Sequence, residues 1–416
     1  MLKFYRYLFP GLIALALGFR LGAILLIRSA PVIDEPLHLE VAQQFGPGLP
    51  AIAQLRDYNS ATGPLFYVLF GNVGALFGYN LTLLRVAVFA LAVGSLLLFY
   101  RILKRLLPAD NPLPAVALLA TAPYFPALAG VFMTEHLAFF LGLAALLCYL
   151  RFRDAGKPAD MVLSLLFVTL AIYTRIYLAF LPVAFAVADT VRNRPSSIAP
   201  PSSSVPHPSS FGFAALWLLP IVAFLPIVLL WRGLAPPSYQ GAHHAGFNWQ
   251  GVGSILIWTG IFFLPWVWRK LRPWHLITLL AIPIVLLAPL PGLGITRSAL
   301  KLLPHPIAVI TACLFGVIGL LWLIRLAPLA LNRNMTEIRG GFRIVSRSPR
   351  VAAIGTLLLV AGLLVSGPVV YERYLLPGIP LMLICARPGA RPRLALVWAG
   401  LFQLPLALAH IIHLAA

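Results

Sequence analysis

Ile33-Asp34-Glu35-Pro36-Leu37-His38-Leu39-Glu40 follows directly on an apolar run, 9–27, that is long enough to cross a bilayer. Three carboxylates and a histidine fall within these eight residues, in a 416-residue chain that is 10% charged and has only 11 acids. Asp followed by Pro at the second position opens a helix. Leu37, Val41 and Ala42 then stand against His38, Glu40, Gln43 and Gln44 at helical spacing. The stretch therefore predicts an amphipathic helix over 35–45, lying along the interface after a first membrane span.

The rest of the chain fits that beginning. It is 61% hydrophobic with a mean hydropathy of +0.93, and its apolar runs are near 20 residues long rather than alternating ten-residue segments. These features predict an all-α polytopic membrane protein and favour a helical bundle over a β-barrel. Thirteen transmembrane helices are expected: 9–27, 80–100, 112–132, 136–150, 159–174, 176–190, 211–231, 251–268, 274–291, 306–325, 351–371, 375–386 and 394–413. Residues 64–77 are too short to span and read as a second interfacial or re-entrant helix. The chain is one integral membrane domain, 1–416, with a first outer loop at 29–79 and a flexible cytoplasmic Pro/Ser linker at 192–210. Arg20 interrupts the first run and Arg28-Ser29-Ala30 is a weak cleavage site, so this run is a retained helix and not a signal peptide.

Charge sets the expected topology. The net charge is +20, and 22 of the 31 lysines and arginines fall in the segments assigned to the cytoplasm, as the positive-inside rule requires. That cause replaces nucleic-acid binding as the explanation of the basic balance. Six of the 11 acids (Asp34, Glu35, Glu40, Asp57, Glu135 and Glu372) lie on the opposite side, where orientation rules give them no purpose. Cys148, Cys313 and Cys385 sit in apolar runs without metal or disulfide spacing. Asn80-Leu81-Thr82 and Asn334-Met335-Thr336 match the glycosylation sequon, but one abuts a helix and the other is cytoplasmic.

A carboxylate near an acceptor hydroxyl and cations near a phosphate leaving group are what an inverting glycosyl transfer needs. Asp34 and Glu35 are the candidate catalytic acids, with helix capping as the competing role of Asp34. His38, Arg56, Glu135, Arg175, His243, His244, Arg297, Lys301, Arg373 and Tyr374 share the outer face as candidate substrate-binding residues. Adjacent histidines such as His243-His244 point apart and lack partners at ligand spacing, so no metal site is expected; a divalent cation is the one cofactor left open. Glu372–Arg373 and Glu135–His136 are equally readable as structural pairs.

Several of these stretches together resemble one family. Asp34-Glu35-x-x-His38-x-x-x-Ala42-Gln43, Tyr58-Asn59-Ser60-Ala61-Thr62-Gly63-Pro64-Leu65-Phe66-Tyr67, Gly241-Ala242-His243-His244-Ala245-Gly246-Phe247-Asn248 and Glu372-Arg373-Tyr374-Leu375-Leu376-Pro377 are similar, in order, to motifs of the eukaryotic dolichyl-phosphate-glucose α-1,2-glucosyltransferases. The last also resembles bacterial lipid-phosphate-sugar mannosyl- and aminoarabinosyltransferases. The resemblance implies a GT-C-like bundle and a polyprenyl-phosphate sugar as donor. It further implies a glycan or lipid-linked acceptor and inversion at the anomeric carbon, with Asp34 or Glu35 as base. Glu135 stands where that family tends to have Asp, Ala242 replaces an acid, and the arginine at 175 is displaced. The Pro/Ser linker and heavy Arg, Ala and Pro usage point to a bacterial inner membrane, with the site on its extracytoplasmic face. The competing reading is a transporter or flippase, which requires ionisable groups or broken helices at mid-depth and is weakened by the lack of an internal repeat.

Overall fold

The computed structural model describes residues 2–26, 31–32, 34–192, 215–240, 249–267, 305–331, 336–339, 342–345, 348–364 and 376–415. These form helices, apart from one antiparallel hairpin, β1 (Thr336–Arg339) with β2 (Phe342–Val345). Among the described residues five helical stretches are long and apolar enough to cross a membrane: Tyr7–Leu26, Leu81–Leu106, Glu135–Ala155, Pro306–Ile324 and Pro392–Ile412. Seven shorter apolar helices accompany them. The chain is a multi-pass membrane protein.

In order, the helices are α1 (Leu2–Leu26), α2 (Glu35–Phe45), α3 (Ile52–Arg56), α4 (Leu65–Phe77), α5 (Leu81–Leu106), α6 (Leu113–Ala120), α7 (Tyr124–Leu128), α8 (Glu135–Ala155), α9 (Pro158–Thr174), α10 (Phe180–Arg192), α11 (Leu219–Trp231), α12 (Pro237–Gln240), α13 (Trp249–Val267), α14 (His305–Leu331), α15 (Ser348–Leu364), α16 (Gly378–Ala386), α17 (Pro392–Val397) and α18 (Leu404–Ala415). The amphipathic helix expected at 35–45 and the short helix expected at 64–77 are α2 and α4. Asn80 caps α5, its Oδ1 accepting from Thr82 N at 2.9 Å and Leu83 N at 3.3 Å, which gives that residue a structural use. The expected helix 274–291 and most of the Pro/Ser linker lie outside the described residues.

The third span departs from expectation. Instead of one helix over 112–132, the chain forms α6 and α7 with a break at Thr121-Ala122-Pro123 and then an irregular strap, Ala129–Thr134. Pro123 has no N–H for the ladder, and a residue before proline avoids helical angles. The last span is interrupted too, by a π-helical turn at Trp398–Gln403 between α17 and α18. The two interruptions meet: Thr121 Oγ1 donates to Gln403 Oε1 at 3.0 Å.

Ion pairs mark one end of the bundle. There Arg105 pairs with Asp154 at 2.6 Å, Arg151 with Asp160 at 3.2 Å, Arg387 with Asp110 at 2.9 Å and Arg153 with Asp189. Trp217 Nε1 also donates to Asp189 Oδ2 at 2.7 Å, tying the residues before α11 to the end of α10. The opposite end collects Glu35, Arg85, Glu135 and Arg175, at the ends of α5, α8 and α9.

Helices α13 and α14 run parallel in close contact. Ile257 packs with Ala312, Gly260 with Phe315 and Gly319, and Phe263 stacks on Trp322 with ring centroids 4.7 Å apart. A Cβ at Gly260 would fall on the Phe315 carbonyl, and one at Gly319 on the Leu256 carbonyl. Small residues that let backbones meet are how helices associate where lipid gives no hydrophobic drive. Gly260→Val should therefore lower the thermal midpoint in detergent by the equivalent of about 1–3 kcal/mol of overpacking. Gly18→Ala, where nothing lies within 4 Å of the new methyl, should leave the midpoint unchanged.

Candidate functional site

The site is built from the start of α2. Asp34 stands at its N-cap position with φ −94° and ψ 5°, but its side chain makes no capping hydrogen bond. Its backbone carbonyl accepts from His38 N at 3.0 Å, so the helix is started without the carboxylate, which is half-buried.

Glu35 is fully buried, and both its oxygens are saturated. Oε1 accepts from Arg85 Nε at 3.0 Å and Phe132 N at 2.7 Å. Oε2 accepts from Arg85 Nη2 at 2.5 Å and Val32 N at 2.9 Å. A bidentate guanidinium plus two backbone N–H groups gives each acceptor site of this buried carboxylate a donor. This one carboxylate joins the start of the first loop, α5 and the strap that precedes α8.

The second acid, Glu135, opens α8 and pairs with Arg175 Nη2 at 2.5 Å, both side chains being buried. Arg175 is held by its position: it ends α9, its N–H donating to Ala171 O at 2.8 Å. The loop before α4 is pressed onto that turn. Gly63 N donates to Thr174 O at 3.1 Å, and a Cβ at Gly63 would overlap the Tyr173 carbonyl, so only glycine fits.

That loop is tied back to α2 through Tyr67. The Tyr67 hydroxyl lies 2.7 Å from His38 Nδ1, 2.6 Å from Ser60 Oγ and 3.0 Å from Thr62 Oγ1. His38 is thus buried and engaged with the fold. Tyr58 donates its hydroxyl to Thr62 O at 2.5 Å, and burial, with Tyr67 nearby, raises its pKa well above the usual tyrosine value. Its O–H stays a donor throughout the neutral range. Further out, Ser238 of α12 reaches Asp57 and Tyr58, and Trp231 Nε1 donates to Leu55 O at 2.8 Å.

The structure therefore brings Asp34, Glu35, His38, Glu135 and Arg175 to one end of the bundle. Arg56 is exposed at the end of α3. His243, His244, Arg297, Lys301, Arg373 and Tyr374 lie outside the described residues. Among the described residues no three His, Cys, Asp or Glu side chains gather as a metal site. Sequence reasoning missed Arg85 and the hub at Tyr67. Arg85 had a signal: an ionisable residue within an apolar span needs a partner. Tyr67 had one as the last residue of the Tyr58–Tyr67 stretch that carries the family resemblance, but nothing in the sequence named its partners.

Removing Arg85 should leave Glu35 buried and unpaired. Arg85→Met is expected to cost about 3–5 kcal/mol of stability, as breaking one partner of a buried pair does. The double variant Glu35→Gln/Arg85→Met should recover part of it. Thermal unfolding of the four proteins in detergent measures the coupling.

A family model described as dolichyl-phosphate-mannose-protein mannosyltransferase matches residues 61–205, which is under half of the chain and includes Glu135 and Arg175. A search of curated proteins finds no match. Among solved structures, the chain aligns with ArnT from Cupriavidus metallidurans in the apo state (18% identity, TM-score 0.42) and with the same protein bound to undecaprenyl phosphate (15% identity, TM-score 0.41). Each alignment covers 93% of this chain and 76% of that one.

Proposed function

We propose that the chain is an inverting glycosyltransferase. It moves a sugar, a glucose-like hexose, from a polyprenyl-phosphate carrier to a glycan or lipid-linked acceptor on the extracytoplasmic face of the membrane. The observation that carries the reading is the contrast between two adjacent acids. Glu35 is fully buried with four donors on its two oxygens, whereas the neighbouring Asp34 is only half-buried, so of the two it is the one a substrate can reach. The proposal therefore narrows to Asp34 as base, with Glu35 holding it in place. The family model over 61–205 supports a lipid-phosphate sugar as donor.

In this mechanism the acceptor hydroxyl oxygen forms a bond to the anomeric carbon as the bond from that carbon to the phosphate oxygen breaks. The electron pair leaves with the phosphate, giving polyprenyl phosphate, and the hydroxyl proton passes to the Asp34 carboxylate. Phosphate departs without protonation, so its charge has to be held by cations. Arg175, Arg297, Lys301 and Arg373 are assigned that task, with His243 and His244 binding phosphate or sugar. The Arg175–Glu135 ion pair fixes the guanidinium before substrate arrives, so little reorganisation is needed at the moment of reaction.

The broken third span favours a second reading, a transporter with discontinuous helices at mid-depth. The polar groups that join the two interruptions, Thr121 and Gln403, are uncharged, and the ionisable groups His136 and Arg20 beside the break are bonded to the backbone carbonyls of Phe125 and Ala129.

Reconstituted protein assayed against a panel of polyprenyl-phosphate sugars should release polyprenyl phosphate. Asp34→Asn should cut that release by about 10²–10⁴-fold, the usual contribution of a general base, with expression and thermal midpoint unchanged. Full activity in Asp34→Asn removes it from the chemistry. Substrate flux across the vesicle without release of polyprenyl phosphate selects the transporter. The same assay with EDTA decides whether a divalent cation takes part.

A further inference from the structure

We infer that Arg20 is a positioning residue of this site, holding the strap Ala129–Thr134 and through it the placement of Glu135. The inference rests on the proposed function only for its consequence in turnover; the mechanical part stands on geometry alone. Arg20 lies within the first span, Tyr7–Leu26, and is 5% exposed. A buried charge at that depth is costly and needs a use. Among the described residues no carboxylate lies within ion-pair distance of it. Its Nε–H donates instead to the Ala129 carbonyl at 2.6 Å. That is a charge-assisted bond to backbone, made by a side chain reaching across from another helix.

Ala129 is the first residue of the strap. The next, Gly130, has φ +84° and is squeezed between the Ile24 side chain, one turn along α1 from Arg20, and the Arg85 carbonyl. A Cβ there would overlap Ile24. Two residues further, Phe132 N–H donates to Glu35 Oε1, and Glu135 then opens α8 against Arg175. The strap is thus fastened at its first residue by Arg20, in its middle by Glu35 and at its exit by the Glu135–Arg175 pair. It has no helix ladder of its own. Arg20 also lies within the electrostatic reach of Arg85 and Glu35, so the fastenings are adjacent. An error of about 1 Å in a positioned group is enough to cost a large part of a rate, and Arg20 guards the placement of Glu135 relative to Asp34.

The test uses the full chain in nanodiscs with Arg20→Met, which keeps the apolar stem and removes the donors, and Arg20→Lys, which keeps charge and donor. Hydrogen exchange should quicken at least about tenfold over 129–134 in Arg20→Met and stay unchanged over 139–150. In turnover of the polyprenyl-phosphate sugar, kcat should fall at least about tenfold with KM within about threefold, and Arg20→Lys should restore most of both signals. Gly130→Ala displaces the strap without touching charge and should reproduce the exchange and kcat effects, which keeps the inference testable if Arg20→Met does not fold. Unchanged exchange over the strap overturns the inference. Fast exchange with wild-type kcat overturns its link to turnover, and a raised KM with intact kcat makes Arg20 a substrate contact instead. If the wild-type protein releases no polyprenyl phosphate from any donor, the functional reading fails, and the exchange data alone decide whether Arg20 holds the strap.

Discussion

The arrangement depends on one buried carboxylate with four hydrogen-bond donors. Glu35 receives two bonds from Arg85 and one each from Val32 N and Phe132 N. An ion pair inside a protein rarely adds net stability over apolar packing, because both charges must leave water. What it supplies here is coincidence in space: the start of the first loop, the start of α5 and the approach to α8 share one anion. Because the pair is worth little unless every bond is made, these segments have one mutual placement. Asp34 and Glu135 inherit their positions from it.

The opposite end is organised by the reverse rule. Its basic residues are abundant for reasons of topology, and Asp110, Asp154, Asp160 and Asp189 each take one arginine from that population. Arg151 is largely exposed, so its pair contributes little. Asp189 is different, since Arg153, Tyr149 and Trp217 all bond to it. The bundle thus carries dense polar networks at both ends and apolar packing between them, as a bilayer demands of a chain that crosses it repeatedly.

How much of this was legible in the sequence follows from the range of each interaction. α2 and α4 were readable because their signals are local: a proline near a helix start, an apolar face at helical spacing, a length too short to span. The cluster of Asp34, Glu35, His38, Glu135 and Arg175 was readable as shared sidedness, since charge at the end of an apolar run reports which surface it reaches. Its pairings were not. Glu35 meets Arg85 across 50 residues and Arg175 meets Glu135 across 40, and nothing in a single chain encodes such a match. The third span was misread because hydropathy averages over Pro123 and Gly130. The backbone does not average: one proline and one left-handed glycine turn an apolar run into two short helices and a strap.

The bond from Trp217 to Asp189 has a consequence for how the protein tolerates change. It holds two points 28 residues apart in the chain, on either side of the proline- and serine-rich sequence, against each other. A chain closed at its base by the fold itself exerts no pull on the helices that flank it, and closing a longer loop costs only about 0.6 kcal/mol per doubling of length. Residues 189 and 217 are thus held against each other whatever length of sequence joins them, so an insert between 193 and 214 should leave α10 and α11 in register.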